Sequence, residues 1–387
     1  MWFLGDKERI YLDFASATPT LPEALSAMRD AEFLGNPGAI HKEGVEAKQA
    51  LEAAREKVAL ELGCKAREVI FTSGLTEANN LAILGLARKM DMGGQLKGSR
   101  WIVSSMEHDA VLQSFAEIER LGGEVTHIDP DERGIISVET VLAALKPETV
   151  LVSIGWANNE IGVVQPLRDI SRAIKEKNPN VLLHSDAGQA PLYISPQVHT
   201  LGVDLLSLGS NKLYGPHGVG ALYLSNRAEL AGVVIGGKQE RNLRAGTENV
   251  ALATGFATAF AAVSQMRESE KKRLKKLRDQ FAKELLLIPG LVINGSMEHA
   301  LPHMLNISIP NVSSEYVTLA LDHAGIAVST KSACREGEES QSHVVAALAS
   351  EPWRAQNTFR FSLGTDTTEA DLKNVSVALA AIIKKQQ

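Results

Sequence analysis

The feature that most constrains this chain is an alternation in its middle. Short apolar runs at residues 101–104, 124–127, 150–154, 181–184 and 205–207 are separated by segments with three- and four-residue apolar spacing, such as 111–121, 138–145 and 167–177. The runs are too short for helices, and helical patterns between them mark βαβ units. Parallel strands need crossover connections, so this rhythm commits the middle of the chain to a parallel sheet covered by helices. Upstream, residues 68–72 form another strand, which runs into Ser73-Gly74 and then a helix. In sheets of this kind ligands collect beyond the carboxyl ends of the strands, so polar residues there are the candidates for chemistry.

Those ends carry a suggestive set. Met106-Glu107-His108-Asp109 follows one run, Asn158-Asn159-Glu160 the next, Asp186-Ala187-Gly188-Gln189 a third, and Lys212 the last. The helix opening at Gly74 offers unpaired backbone N–H groups and a positive dipole end to an anion, and Thr76 adds a hydroxyl. Lys212 sits in a glycine-rich connection between two strands, where an amine held partly out of water loses its proton more easily and can attack a carbonyl. Each residue alone reads as well as a cap, a loop residue or a solvated charge. Together they are what a pyridoxal phosphate pocket requires: a lysine for the aldehyde, a carboxylate for the pyridine nitrogen and donors for the phosphate.

Outside the alternation, residues 10–14 form a short strand, Pro22 opens a helix, and 35–38 make a turn. Residues 44–62 form an amphipathic helix. A long helix runs from Asn249 to near Leu287, and beyond it short strands at 292–294, 305–309, 327–329 and 358–362 mix with helices at 315–323, 342–348 and 369–385. At 387 residues the chain is long enough for two domains. The division expected is 15–260 for a large domain, with 1–14 and 261–387 forming a smaller one.

With 22% charged residues and a net charge of −6, the chain has no basic surface for nucleic acid. The basic cluster at 271–276 has acidic neighbours at helical spacing and reads as a solvated face. No apolar run is long enough for a membrane span, and the opening residues meet charge too early for a secretory signal, so a cytoplasmic protein is expected. Cys64 and Cys334 lie far apart with no metal-ligand spacing, so neither a disulfide framework nor a metal site is expected. Cys64 follows a helix and reads as structural, whereas Cys334 lies in a polar segment with Lys331 and Arg335, which favour a thiolate.

On these residues the sequence resembles the cysteine desulfurases of the aminotransferase class V group, most of all the nitrogen-fixation and iron-sulfur-cluster type. The matching runs include Tyr11-Leu12-Asp13, Phe71-Thr72-Ser73-Gly74 with Thr76-Glu77, Glu107-His108, Asn158-Asn159-Glu160-Ile161-Gly162 and Asp186-Ala187-Gly188-Gln189. They continue through Lys212 with Tyr214-Gly215-Pro216, Arg244-Ala245-Gly246-Thr247-Glu248-Asn249, Ser332-Ala333-Cys334 and Arg360-Phe361-Ser362-Leu363-Gly364. Their order and separation cover nearly the whole chain.

The resemblance implies an α/β protein of the pyridoxal phosphate transferase fold type I, with a large, mainly parallel sheet domain and a smaller C-terminal α/β domain. It implies that Lys212 carries pyridoxal 5′-phosphate, that Asp186 pairs with the pyridine nitrogen and that His108 stacks on the ring. Gln189 and Asn158 then bond near the phenolic oxygen. Thr76 serves the phosphate, with Ser210 and Asn211 as substitutes for the family's serine and histidine there, and Thr247 reaches the phosphate of a second subunit in a homodimer. Arg360 grips the carboxylate of L-cysteine, with Asn36 and Asn158 beside it. Cys334 takes the sulfur as a persulfide, leaving alanine, for a sulfur-acceptor or scaffold protein in iron-sulfur cluster assembly or tRNA thiolation. Two departures stand out. Gly209-Ser210-Asn211 replaces a Ser-x-His run before the lysine, and Phe14 and Ser16 stand where Asn and Ala are usual. The alternatives are a selenocysteine lyase, a class V aminotransferase on another substrate, or a cofactor-binding scaffold or regulator without turnover. Replacing Cys334 separates the first two from the desulfurase.

Overall fold

In the computed structural model, which describes residues 9–32, 35–330, 341–348 and 351–386, twelve strands form three sheets among the described residues. In chain order they are β1 (Ile10–Tyr11), β2 (Val69–Thr72), β3 (Arg100–Ser104), β4 (Glu124–Ile128), β5 (Thr149–Ser153), β6 (Leu182–Asp186), β7 (Leu205–Gly209) and β8 (Gly220–Leu224). Then follow β9 (Val292–Ile293), β10 (Met304–Ser308), β11 (Ile326–Ala327) and β12 (Thr358–Ser362).

The central sheet has the order β2-β8-β7-β6-β5-β3-β4. Strands β3 to β7 pair in parallel, and β8 runs against both its neighbours. The inner runs are buried on both faces, as parallel strands under helices must be: β7 is buried throughout, and Trp101, Ile102 and Val103 of β3 are closed to solvent, whereas β4 at the sheet edge is largely exposed. The chain moves outward from β3 to β4 and then returns to the other side of β3 as β5. The crevice that this reversal opens at the strand ends is the geometric place for a ligand.

The three central strands that carry the site are pinned from within. His184 on β6 lies fully buried between Ser153 Oγ of β5 (2.8 Å from Nδ1) and Ser207 Oγ of β7 (3.1 Å from Nε2). Burial drives its imidazole down to about 3, so it is neutral and serves as a cross-strand bracket. Asp186, two residues on, leaves the sheet at a position fixed by that bracket.

The helix Val250–Leu285 spans 36 residues, which is roughly 54 Å at 1.5 Å per residue. Its basic segment is only partly the solvated face that charge spacing predicts. Arg267 and Arg278 are buried, and Arg273 donates to the carbonyls of Gly364, Thr365 and Thr367. Those arginines tie the helix to neighbouring loops, while Lys272, Lys275 and Lys276 remain exposed. Past the helix, β12-β10-β9 form an antiparallel sheet, and β1 from the start of the chain pairs in parallel with β11. Asp13 bridges to Ser362 of β12, which brings the segment after β1 beside Arg360. A short helix at Pro352–Gln356, opened by its proline, has no counterpart in the apolar spacing.

Candidate active site

Five carboxyl strand ends, those of β2, β3, β5, β6 and β7, open onto one cavity of about 420 Å³. Among the residues expected to carry chemistry, Thr76, His108, Asn158, Asp186, Gln189, Lys212 and Arg360 all line it. Convergence of residues from so many segments follows from the sheet, because each parallel strand delivers its last residues to the same rim.

Lys212 closes a single turn, Ser210–Lys212, directly after β7. Its Nζ donates to the carbonyls of Ala15 (2.8 Å) and Ser16 (2.6 Å). The segment that supplies those acceptors is laced to the lysine turn, since Thr18 N donates to Asn211 O (2.9 Å) and Tyr214 N to Thr18 Oγ1 (2.7 Å). Tyr214 needs the left-handed region, φ 55°, to turn the chain back there.

Asp186 accepts from Asn79 Nδ2 (2.6 Å) on one oxygen and from Gly188 N (2.8 Å) on the other. Both donors fix the direction of the carboxylate. A Cβ at position 188 would stand 2.6 Å from Leu75 Cδ2, so a larger residue there needs Leu75 to move. Gln189 donates from Nε2 to Ala15 O (2.8 Å), the acceptor it shares with Lys212.

His108 caps the helix Asp109–Arg120, accepting from Ala110 N at Nδ1 (3.0 Å). Glu107 before it is buried and accepts from Gly155 N (2.8 Å). Burial raises this carboxyl to about 8 against the pull of the Gly155 N–H, with the Asp186 charge adding to the rise. Glu107 is therefore largely protonated at neutral pH and adds little charge to a wall that also carries Glu77 and Asp186. Asn158 spends its oxygen on Glu160 N (2.8 Å) and Ile161 N (3.0 Å) and one N–H on Met106 O (2.9 Å), so a single amide hydrogen remains for a ligand.

The opening of the helix Leu75–Met92 forms another part of the cavity wall. Gly74 (φ 153°) has nothing within 4 Å of where a Cβ would be, so the helix start is open to the cavity beside the exposed Thr76. Glu77 takes Ser73 N (2.7 Å) and pairs with Arg244 Nε (2.9 Å). Burial works to raise its carboxyl, but the Arg244 and Ser73 contacts outweigh it and hold Glu77 below the usual range.

Arg360, also on the cavity wall, is 2% exposed. Its Nη2 donates to Asp13 Oδ1 (2.6 Å) and Ser16 Oγ (2.7 Å), and Nη1 donates to Asn159 O (2.8 Å).

Three expected site residues are not brought to this cavity. Ser210 is fully buried with its hydroxyl turned toward Gly215, where a Cβ would stand 2.2 Å from Oγ, so it faces away from the phosphate end; Asn211, the next residue, lines the cavity instead. The single tight turn decides this, because successive side chains on it point in different directions. Asn36 and Thr247 border a separate surface depression with Glu32 and Asn249. Cys334 lies outside the described residues. Sequence reasoning passed over Asn79, although it is four residues past the helix start and shares the face of Leu75. It also passed over His217, which lines the cavity from the connection that carries Lys212. Among the described residues no group of three or more His, Cys, Asp or Glu side chains is arranged to hold a metal ion, and no helix is long and apolar enough to cross a membrane.

Residues 10–375 match the family model for aminotransferase class V. The chain is 41% identical over 382 residues to "Cysteine desulfurase IscS" of Dictyoglomus turgidum, covering 98% of this chain and 95% of that protein. Among solved structures it is similar to one titled "NIFS-LIKE PROTEIN", with a TM-score of 0.91 and 32% identity over 98% of this chain and all of that one. It is also similar to "SspA in complex with cysteine", with a TM-score of 0.80 and 33% identity, covering 92% of this chain and 98% of that one.

Proposed function

This chain belongs to the aminotransferase class V family, and from that premise we propose that it is a pyridoxal 5′-phosphate-dependent cysteine desulfurase, which takes sulfur from L-cysteine and releases L-alanine. The observation that carries the reading is the meeting of Lys212, Asp186, an open helix start and a buried arginine on the wall of one cavity. That donor set fits the cofactor: an amine for its aldehyde, an oriented carboxylate for its pyridine nitrogen and backbone N–H groups for its phosphate.

Lys212 would hold the cofactor, and Asp186, oriented by Asn79 and Gly188, would keep a proton on the ring nitrogen. His108, Gln189 and Asn158 would complete the surroundings of the ring, and Thr76 with Asn211 would serve the phosphate. When bound, the cofactor supplies an electron sink next to the substrate Cα. Lys212 then moves protons as general base and acid. Arg360 orients L-cysteine through its carboxylate, and Cys334 supplies the accepting thiolate. The sulfur passes to Cys334 as a persulfide, the C–S electron pair stays with carbon, and a proton on that carbon completes alanine.

The active unit in this reading is a cytoplasmic homodimer. Asn36 and Thr247 border a depression apart from the chain's own cavity, and this reading assigns them to the site of a second copy. The division into a large domain of residues 15–260 and a smaller one of 1–14 and 261–387 belongs to the same reading, as does delivery of the persulfide sulfur to an acceptor protein for cluster assembly or tRNA thiolation. The test is to load the purified protein with cofactor, add L-cysteine, and assay alanine and sulfide. Equal yields of the two in the presence of a reductant, lost in Lys212→Ala and Cys334→Ser, are expected. Loaded protein that leaves cysteine intact overturns the reading.

A further inference from the structure

The hydrogens of Arg360 can be counted. Nη2 has two, and both are taken, by Asp13 Oδ1 at 2.6 Å and Ser16 Oγ at 2.7 Å. Nη1 has two, of which one goes to Asn159 O. Nε has one, buried and without a partner. A carboxylate that grips a guanidinium with two oxygens uses either Nε with Nη2 or Nη1 with Nη2. Either approach needs a hydrogen on Nη2, so one of the two present acceptors must give way.

The two acceptors differ in what leaving costs. Asp13 carries the counter-charge of a guanidinium that is almost closed to solvent, and removing a charged partner from such a site is expensive. Ser16 is neutral, and its hydroxyl also lies 2.9 Å from Asp13 Oδ1, so it keeps a strong acceptor after releasing Arg360. Ser16 also borders the cavity, where a ligand can reach it.

We propose that the Ser16 hydroxyl is a place-holder for one substrate carboxylate oxygen. It occupies Arg360 Nη2 until substrate enters, then turns wholly to Asp13. Ser16 is thus a specificity-determining residue that sets the affinity threshold for carboxylates. This rests on the reading of Arg360 as the substrate carboxylate site.

The test is calorimetric titration of the cofactor-loaded protein with 3-mercaptopropionate, which has the thiol and carboxylate of cysteine but no amine, and with its amide. Ser16→Ala removes the competitor and is expected to bind the carboxylate about three- to tenfold more tightly, since a displaced hydrogen bond is worth about 1 kcal/mol net. The amide should bind it unchanged, and Ser16→Thr should restore the wild-type affinity. Unchanged or weaker carboxylate binding in Ser16→Ala, alongside loss of binding in Arg360→Gln, overturns the place-holder role alone. Full carboxylate binding in Arg360→Gln overturns both this role and the assignment of Arg360.

Discussion

Arg55 and Glu240 meet fork to fork, with both arms at 2.7 Å and both side chains nearly closed to solvent. Glu240 Oε2 also accepts from Phe71 N of β2 (2.8 Å), so one carboxylate ties the helix Lys42–Leu62, the sheet edge and a distant loop. That loop is costly to shape: Glu240, Arg241 and Asn242 have φ values of 43°, 60° and 65°. Glu240→Ala would leave the buried Arg55 with only the part-exposed Glu52 as counter-charge, through Nε at 3.2 Å, and is expected to cost about 2–4 kcal/mol in urea unfolding. Arg55→Lys should recover little of the loss in Arg55→Ala, because an ammonium cannot reproduce two parallel N–H bonds.

Asn79 holds Asp186 at 2.6 Å. Asn79→Ala leaves the carboxylate with only the Gly188 N–H, and a hydrogen bond to a charged group is worth about 1.5–3 kcal/mol. Cofactor affinity, measured by absorbance titration, should fall roughly tenfold to a hundredfold. Asn79→Asp should be worse still, since it sets two carboxylates against each other.

The inward turn of Ser210 makes a discriminating pair of variants. Ser210→Ala removes a buried hydroxyl that has no hydrogen-bond partner, so stability should hold or rise and cofactor affinity should stay within about twofold of wild type. Asn211→Ala, at the cavity wall, should weaken cofactor retention during dialysis. The opposite pattern would return the phosphate role to Ser210.

Glu107 gives a pH signature. Its folded value of about 8 lies above the ordinary 4.5, owing first to burial, so folding takes up a proton between those limits. The stability this contributes is complete below about pH 4.5 and is lost as pH rises through 8. Denaturation midpoints of the wild type should therefore fall more steeply between pH 5 and 9 than those of Glu107→Gln, which keeps the neutral shape without a titrating group.

The rim of parallel strand ends was legible in the sequence because strand period, crossover length and the position of polar residues are all one-dimensional signals. Thr76, His108, Asn158, Asp186, Gln189, Lys212 and Arg360 were found that way, or through resemblance to a family, and they share one cavity. What was not legible depends on direction. No pattern tells whether Ser210 or Asn211 faces inward on a single turn, that Arg273 reaches back to three carbonyls, or that β8 runs against its neighbours. Nor could sequence pair Ser16 with Arg360, because 344 positions separate them and only the β1–β11 and Asp13–Ser362 pairings bring them together.

The residues from Asp13 to Ser16 supply acceptors to Lys212 and the counter-charge to Arg360 at once. Reactivity and recognition therefore hang from a single tetrapeptide. A substitution that shifts its backbone retunes both together, so laboratory evolution toward a new acid should find its gains in side chains here and its losses in insertions.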